Sequence, residues 1–243
     1  MAELSKRVRE YAVGDLPDLS EVAHPPTRWA WGGRAFAKAM LGTGFDIRVQ
    51  GVDQVPRHGP VILASNHVGY LDGPLLGAVT PRVVHALVKE EMFVGRLGRM
   101  LERTGQIPIN RSVVDTLAVK RCLRVLRDGG AVSIYPEGNR GLGDVTTTKG
   151  GAAYLALVSG APVLPIACLG TRTAGATIHT MPKRGSRLYI VFGAPVRFDP
   201  VPWPRTKQRV AAVQAELQKV LAAHVRAACE MTGQTLPAMP TTS

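Results

Sequence analysis

The sequence predicts a single α/β domain: a mixed, largely parallel sheet flanked by helices, preceded by an amphipathic helical segment. Two observations carry that prediction. Short apolar, β-branched runs of strand length alternate along the chain with longer stretches of helical periodicity. The 243 residues are also 45% hydrophobic and 20% charged, enough for one substantial core. No internal repeat or second domain is apparent.

The elements follow in order. Residues 1–12 have a short helical pattern, with Leu4, Val8 and Tyr11 on one side. Pro17, Pro25, Pro26 and several acids make 14–26 an irregular connector. From 27 to 44, Trp29, Trp31, Phe36, Met40 and Leu41 mix with Arg28, Arg34 and Lys38, and no acid is present. A basic amphipathic helix with Trp has the pattern of a segment lying in a membrane interface. The alternative is a helix that packs its aromatic side on the domain and turns its cations to water. This divides the chain into an N-terminal helical segment (1–44), a main domain (45–232) and a flexible tail (233–243).

Residues 45–51 alternate as a strand, and Pro56 and Gly59 turn the chain into a second strand of apolar or small residues at 61–65. Asn66 and His67 follow at once, then Gly69, Asp72 and a helix carrying Leu75 and Leu76. A third strand spans 83–88. Residues 91–103 read as a helix with Met92, Leu97, Met100 and Leu101 inward and Arg96, Arg99 and Arg103 as a basic stripe opposite. Such a stripe is ordinarily a solvated face; a role at a lipid or coenzyme surface is the alternative. Residues 105–111, GQIPINR, give a turn, a short strand and Arg111 at its exit. Ser112 and Asp115 open a helix in capping-box fashion, with Val114, Leu117, Cys122, Val125 and Leu126 as its apolar face. A buried strand at 131–135 runs into Pro136-Glu137-Gly138-Asn139-Arg140, and a polar loop covers 141–147. Lys149-Gly150-Gly151 then leads into a small-residue helix through 157. Strands at 163–169 and 188–192 precede a long closing helix, 206–231, with Val210, Val213, Leu217, Val220 and Leu221 inward.

The net charge is +12, and it favours acidic partners: nucleic acid, an anionic membrane surface or phosphorylated small molecules. No RNA-binding aromatic motif or helix-turn-helix is recognisable, so nucleic acid is not expected. Cys122, Cys168 and Cys229 lie far apart, with no CxxC and no His at metal spacing. This argues against a zinc site or disulfide framework and for a reducing compartment. No signal peptide and no apolar run of about eighteen residues is present, so no segment is expected to span a bilayer. Richness in Arg, Ala and Val points to a bacterial, cytosolic origin.

The chemistry centres on His67 and Asp72. On an unbroken helix, residues five apart sit about 140° around the axis, so these two meet only if the chain turns between them. Gly69 permits the turn, and Pro74 suits the first turn of a helix. A His oriented by a carboxylate is a general base with its holder. The alternative is that Asp72 only caps its helix and His67 is a hydrogen-bonded surface residue. Three polar clusters share one placement, each at the exit of a strand: Asn66-His67 with Asp72, Arg111, and Glu137 with Arg140. Ligand sites in open α/β sheets gather at the carboxyl ends of strands. Arginine forks bind phosphate oxygens and Lys149 adds a point charge. The implied chemistry is a base activating a hydroxyl on a phosphorylated substrate.

Four blocks in this order give the chain its resemblance. Asn66-His67 to Asp72 resembles an NHxxxxD block, residues 105–111 a GxIxIxR block, Glu137-Gly138-Asn139-Arg140 an EGTR block, and Val163-Leu164-Pro165-Ile166 an apolar-Pro block. Lys149-Gly150 fits a lysine-glycine step after the third. The chain is similar to the glycerolipid acyltransferases with the HxxxxD signature, which act on lysophosphatidic acid or glycerol 3-phosphate, and the likeness runs from about residue 45 to 192. The resemblance implies that His67 deprotonates an acceptor hydroxyl, which attacks the thioester of acyl-CoA or acyl carrier protein, with Asp72 holding the imidazole. It implies substrate binding by Asn66, Gly105, Arg111, Glu137, Gly138, Arg140 and Lys149, with the arginines on the acceptor phosphate. The donor is a substrate; no bound cofactor and no metal is implied. Backbone amides near Gly69 are the nearest candidates for an oxyanion donor. Two departures stand out: Gly69 sits where the family often has Ser, and Asn139 and Gly141 replace the Thr and Ser of EGTRS.

The expected activity is acyl transfer to a lysophosphatidic-acid-like acceptor, forming phosphatidic acid. The expected place is the inner face of the cell membrane, as a peripheral or monotopic protein reaching the surface through 27–44. Glycerol 3-phosphate or another lysophospholipid is the nearby alternative acceptor. A hydrolase would need a nucleophile, and Ser65 is the one beside His67; no GxSxG elbow is present. A non-catalytic basic module is the third reading.

Overall fold

The computed structural model describes residues 17–237. The helix expected over 1–12 lies outside the described residues. The elements are α1 (Ala30–Gly44), β1 (Asp46–Gln50), β2 (Val61–Ser65), α2 (Asp72–Val79), β3 (Val84–Lys89), α3 (Gly95–Arg103) and β4 (Ile107–Ile109). There follow α4 (Thr116–Arg127), β5 (Ala131–Ile134), α5 (Gly151–Ser159), β6 (Val163–Leu169), β7 (Arg187–Phe192) and α6 (Lys207–Thr232).

A strand covered on both faces has no solvent side to alternate with, and so reads as a continuous apolar run. β2 is such a strand, buried at all five positions, and it lies at the middle of a seven-stranded sheet ordered β1-β7-β6-β2-β5-β3-β4. Neighbours pair in parallel except β6 and β7, which are antiparallel. Thus β6, β2, β5, β3 and β4 point one way and β7 and β1 the other. The carboxyl ends of the five co-directional strands open on one edge, where Asn66, Arg111, Glu137 and Gly170 leave the sheet.

The two-residue period of β2 divides the core. Ile62 and Ala64 face α4, α5 and the start of α6, among them Cys122, Leu126, Leu157 and Leu217. Val61 and Leu63 face α1 and α2, with Leu41, Leu75 and Leu76. The later half of α6 covers Ala167, Leu169, Tyr189 and Val191, and Leu236 packs there too, so the chain just past Gly233 is attached to the fold. Each fully buried Leu or Ile contributes roughly 1.5–3 kcal/mol, so the three layers are held mainly by this burial.

Two helices differ from expectation. α3 begins only at Gly95, after a short 3₁₀ turn at Glu90–Met92. Its one buried residue is Gly98, pressed on the Phe93 backbone. Contact through a glycine turns Met92, Leu97 and Met100 outward instead of inward. α4 is capped by Asp115, which accepts from the Ala118 amide at 2.9 Å, and not by Ser112. Val114 therefore precedes the helix and is exposed, Leu117 is half exposed, and the inward face is Ala118, Cys122, Leu123, Val125 and Leu126. On α1 the small residues Ala30, Gly33 and Ala37 with Leu41 face the domain, whereas Trp29, Trp31, Phe36 and Met40 are each more than half exposed. Its aromatic side does not pack on the domain.

Candidate active site

β2 delivers its chain end to the open edge of the sheet, and the five residues from His67 to Leu71 turn before α2 begins. Asp72 organises that turn. Its Oδ2 accepts from the amides of Val68 at 2.8 Å and Gly69 at 2.9 Å, and from His67 Nδ1 at 2.7 Å. Its Oδ1 accepts from the Thr171 hydroxyl. The carboxylate is fully buried and the imidazole is one-fifth exposed. A carboxylate accepts, so Nδ1 carries the proton and the neutral ring keeps its lone pair on Nε2. That is the state of a general base. The sequence posed two roles for Asp72, helix cap or imidazole holder; Leu71 is the N-cap and no side chain caps the helix, whereas Asp72 holds the imidazole and the amides of the turn before it.

The ring is held from a further side. Tyr135, at the exit of β5, stacks on His67 with centroids 4.2 Å apart and planes 24° apart. Glu137 Oε1 accepts from the His67 amide at 2.8 Å, and His67 O accepts from the Gly141 amide at 2.9 Å. The loop 137–141 is therefore tied to His67 at both ends. Burial pushes the Glu137 carboxyl up to about 7, opposed by its bond from the His67 amide and reinforced by nearby Asp144 and Asp72.

Arg111, leaving β4, donates from Nη1 to the Gly138 carbonyl and to Asn139 Oδ1. Arg140 lies over the Tyr70 ring, 3.7 Å from its centroid, and donates to Ile178 O at 3.1 Å. Tyr70 in turn pairs with His179 at 2.9 Å. Lys149 lies along Gly138, whose φ of 76° and missing side chain make the room: a Cβ there would stand 2.8 Å from Lys149 Cε. His67, Asp72, Arg111, Glu137, Gly138, Arg140 and Lys149 thus form one neighbourhood.

Two expected residues face elsewhere. Asn66 is fully buried; its amide group pairs with the Cys168 backbone, at 3.1 Å to the carbonyl and 2.7 Å from the N–H, tying β2 to β6. Gly105 lies at the other end of β4 from Arg111, where its carbonyl accepts from His85 and a Cβ would strike the Pro26 carbonyl oxygen at 2.3 Å. The amides of Val68 and Gly69 are both occupied by Asp72, so neither of these two is free as an oxyanion donor.

The exit of β6 holds residues that sequence reasoning missed. Thr171 supports Asp72. Arg172, only 6% exposed, donates to Gly141 O at 2.6 Å, while its Nε is buried without a partner. Burial holds its guanidinium below the ordinary arginine range, the Asp72 charge opposing that shift and the Arg140 charge adding to it. Arg140 bears on both Arg172 and Arg111, so three guanidinium groups share this edge. The rule that found the other clusters, a polar group just after a strand, applies equally to Gly170-Thr171-Arg172. The same contact accounts for Gly69: a Cβ there would stand 2.5 Å from the Thr171 carbonyl oxygen, leaving no room for serine.

A protein-family model described as Acyltransferase matches residues 46–169, just over half of the chain and the whole stretch from β1 through β6. The chain belongs to that family. A Bacillus subtilis 1-acyl-sn-glycerol-3-phosphate acyltransferase is 26% identical over 184 residues, 75% of this chain and 89% of that protein. A Pseudomonas aeruginosa lyso-ornithine lipid O-acyltransferase is 32% identical over 153 residues, 62% of this chain and 55% of that longer protein. In fold, the chain is similar to the crystal structure of the 1-acyl-sn-glycerophosphate acyltransferase PlsC from Thermotoga maritima, with TM-score 0.61 and 18% identity over 93% of this chain and 89% of that one. In the acyltransferase frame, the matched span contains His67, Asp72, Arg111, Glu137, Arg140 and Lys149, and it ends one residue before Gly170-Thr171-Arg172.

Proposed function

We propose that the protein is an O-acyltransferase that moves a fatty acyl group from a thioester to the hydroxyl of a lysophosphatidic-acid-like acceptor, forming phosphatidic acid. The observation that carries this reading is the Nδ1–Asp72 bond at 2.7 Å, which leaves Nε2 free as the base. His67 Nε2 takes the proton of the acceptor hydroxyl as its oxygen attacks the thioester carbonyl. The tetrahedral oxyanion then collapses, the carbon–sulfur bond breaks, and the leaving thiolate recovers the proton from Nε2. Asp72 keeps the ring in its tautomer and stabilises the imidazolium. Arg111, Arg140 and Lys149 supply positive charge for the acceptor phosphate, with Glu137 and Gly138 shaping the loop that presents it. Arg172 is added to that set on its free Nε and its place beside Arg140. The donor is an acyl-CoA or acyl carrier protein thioester, bound as a substrate.

Membrane lipid is reached through the outward aromatic face of α1, which makes the protein peripheral or monotopic on the cytoplasmic face. No helix among the described residues is long and apolar enough to cross a membrane. Residues 1–44 form the interface segment in this reading and 45–232 the catalytic domain.

The test is thiol release from palmitoyl-CoA with and without oleoyl-lysophosphatidic acid. Release that needs the acceptor and vanishes in His67→Ala supports the reading; release that ignores the acceptor contradicts it. A lyso-ornithine acceptor in the same assay separates the nearest alternative. The hydrolase reading has no support from Ser65, which is fully buried and donates to the Asn66 carbonyl.

A further inference from the structure

α1 and α3 meet over a surface cavity of about 370 Å³, lined by Trp29 and Gly33 on one side and Arg96, Arg99, Met100, Arg103 and Thr104 on the other. It shares no residue with the His67 neighbourhood and lies along the flank of the domain, outside the carboxyl edge of the sheet. Gly33 sets the approach of its walls: a Cβ there would stand 2.8 Å from Thr104 Cγ2.

Three features decide what the cavity suits. Arg96, Arg99 and Arg103 stand on one stripe of α3, and no hydrogen bond or ion pair with another described residue neutralises their side chains. Like charges held together repel, and an anion relieves the repulsion; a planar guanidinium fork matches phosphate oxygens. The helices that form the cavity also turn apolar side chains outward: Phe36 and Met40, one and two turns beyond Gly33 on α1, and Leu97 and Met100 on α3 are exposed. Trp29 stands in the wall itself, with an apolar ring and one polar N–H, the side chain suited to the boundary between water and lipid. A soluble phosphate needs the cations alone. Cations beside Trp29 and Met100, on helices with further exposed apolar side chains, match a phosphate attached to acyl chains.

We propose that this cavity binds the headgroup phosphate of an anionic phospholipid within the bilayer. The inference rests on the membrane-surface reading of α1 and adds to it a defined headgroup site formed jointly with α3. Bound lipid fixes the rotation of the protein on the surface, because the α1–α3 flank faces the membrane and the His67 edge stands beside it.

The test is sedimentation of the full chain with phosphatidylcholine vesicles, with and without phosphatidylglycerol. Wild type should bind the phosphatidylglycerol vesicles more tightly. R96Q/R99Q/R103Q should lose that preference by at least about tenfold, with an unchanged thermal midpoint because the side chains are exposed. The charge-matched control K207Q/R209Q/K219Q, on exposed positions of α6, should keep it. Equal loss in the control, or no loss in the arginine variant, overturns the site in favour of diffuse charge. Failure of wild type to bind any vesicle overturns the membrane reading itself. Free coenzyme A that competes for the cavity while the arginine variant still binds vesicles assigns the cations to the donor and also overturns the proposal. In a W31F/W203F background, Trp29 emission should shift to the blue on adding phosphatidylglycerol vesicles, and an unmoved spectrum counts against it.

Discussion

The His67 turn and the α1–α3 flank are opposite solutions to the same problem of holding charge. In the turn, a buried carboxylate is met by four donors from Val68, Gly69, His67 and Thr171, and the imidazole it orients is stacked on Tyr135. On the flank, three arginines have no hydrogen-bond or ion-pair partner among the described residues, and Trp29 beside them is more than half exposed. A site that must repeat one geometry in every turnover is saturated from within; a surface that must accept something is left unsatisfied. The contrast identifies where the molecule expects company.

The sharpest way to break the contrast is to compare His67→Ala with Asp72→Ala. Both should lower acyl transfer by about 10²–10⁴-fold or more. Only Asp72→Ala should also unfold readily, losing about 3 kcal/mol or more, because the amides of Val68 and Gly69 and the Thr171 hydroxyl are left buried and unpaired. Equal thermal midpoints for the two variants would contradict the assignment of Asp72 as the organiser of the turn.

Arg140→Gln and Arg172→Gln should act mainly on the acceptor. An increase of roughly tenfold in its KM, with kcat less affected, fits loss of a charge-assisted phosphate contact; a fall in kcat alone would place them elsewhere. Tyr135 positions the ring without exchanging protons, so Tyr135→Phe should retain turnover that Tyr135→Ala loses.

Glu137 gives a smaller, pH-dependent effect. Its carboxyl is raised, so the folded state holds a proton that the unfolded state has already released. Its contribution to stability is present below the ordinary value of 4.5 and is lost as pH rises through about 7. Melting of wild type and Glu137→Gln between pH 5 and 8.5 should show the wild type falling more steeply, by several degrees. Parallel curves would mean that the carboxyl titrates normally. The smallest effect is expected on the flank: Trp31→Ala with Phe36→Ala should shift stability by no more than about 0.5 kcal/mol while reducing vesicle binding. Marked unfolding there would show that those rings hold the fold together.

What the sequence revealed follows the reach of each interaction. His67 and Asp72 are five positions apart, and a strand, a glycine and a helix start between them can be read locally. β2 and β6 were legible because strands covered on both faces need apolar side chains throughout. Thr171 was not, because its bond to Asp72 joins residues 99 positions apart, and only the β2–β6 pairing brings them together. The inner face of α3 was misread for another reason. Hydrophobic periodicity assumes that the largest apolar residues face the core, and here the contact is made by Gly98, which carries no hydropathy signal at all. Asn66 resembled a ligand-binding residue because it adjoins His67, yet its two hydrogen-bonding groups serve the Cys168 backbone.

The burial of the cysteines has a practical consequence. Cys122 and Cys168 are enclosed in the core; burial pushes the first thiol to about 12 and the second well above its ordinary value of 9. Cys229, partly accessible, is shifted upward too. At neutral pH none of the three offers much thiolate. A disulfide dye added to a reaction should therefore colour in proportion to the coenzyme released, with a low and slow background from the protein, and alkylating agents should leave acyl transfer largely untouched.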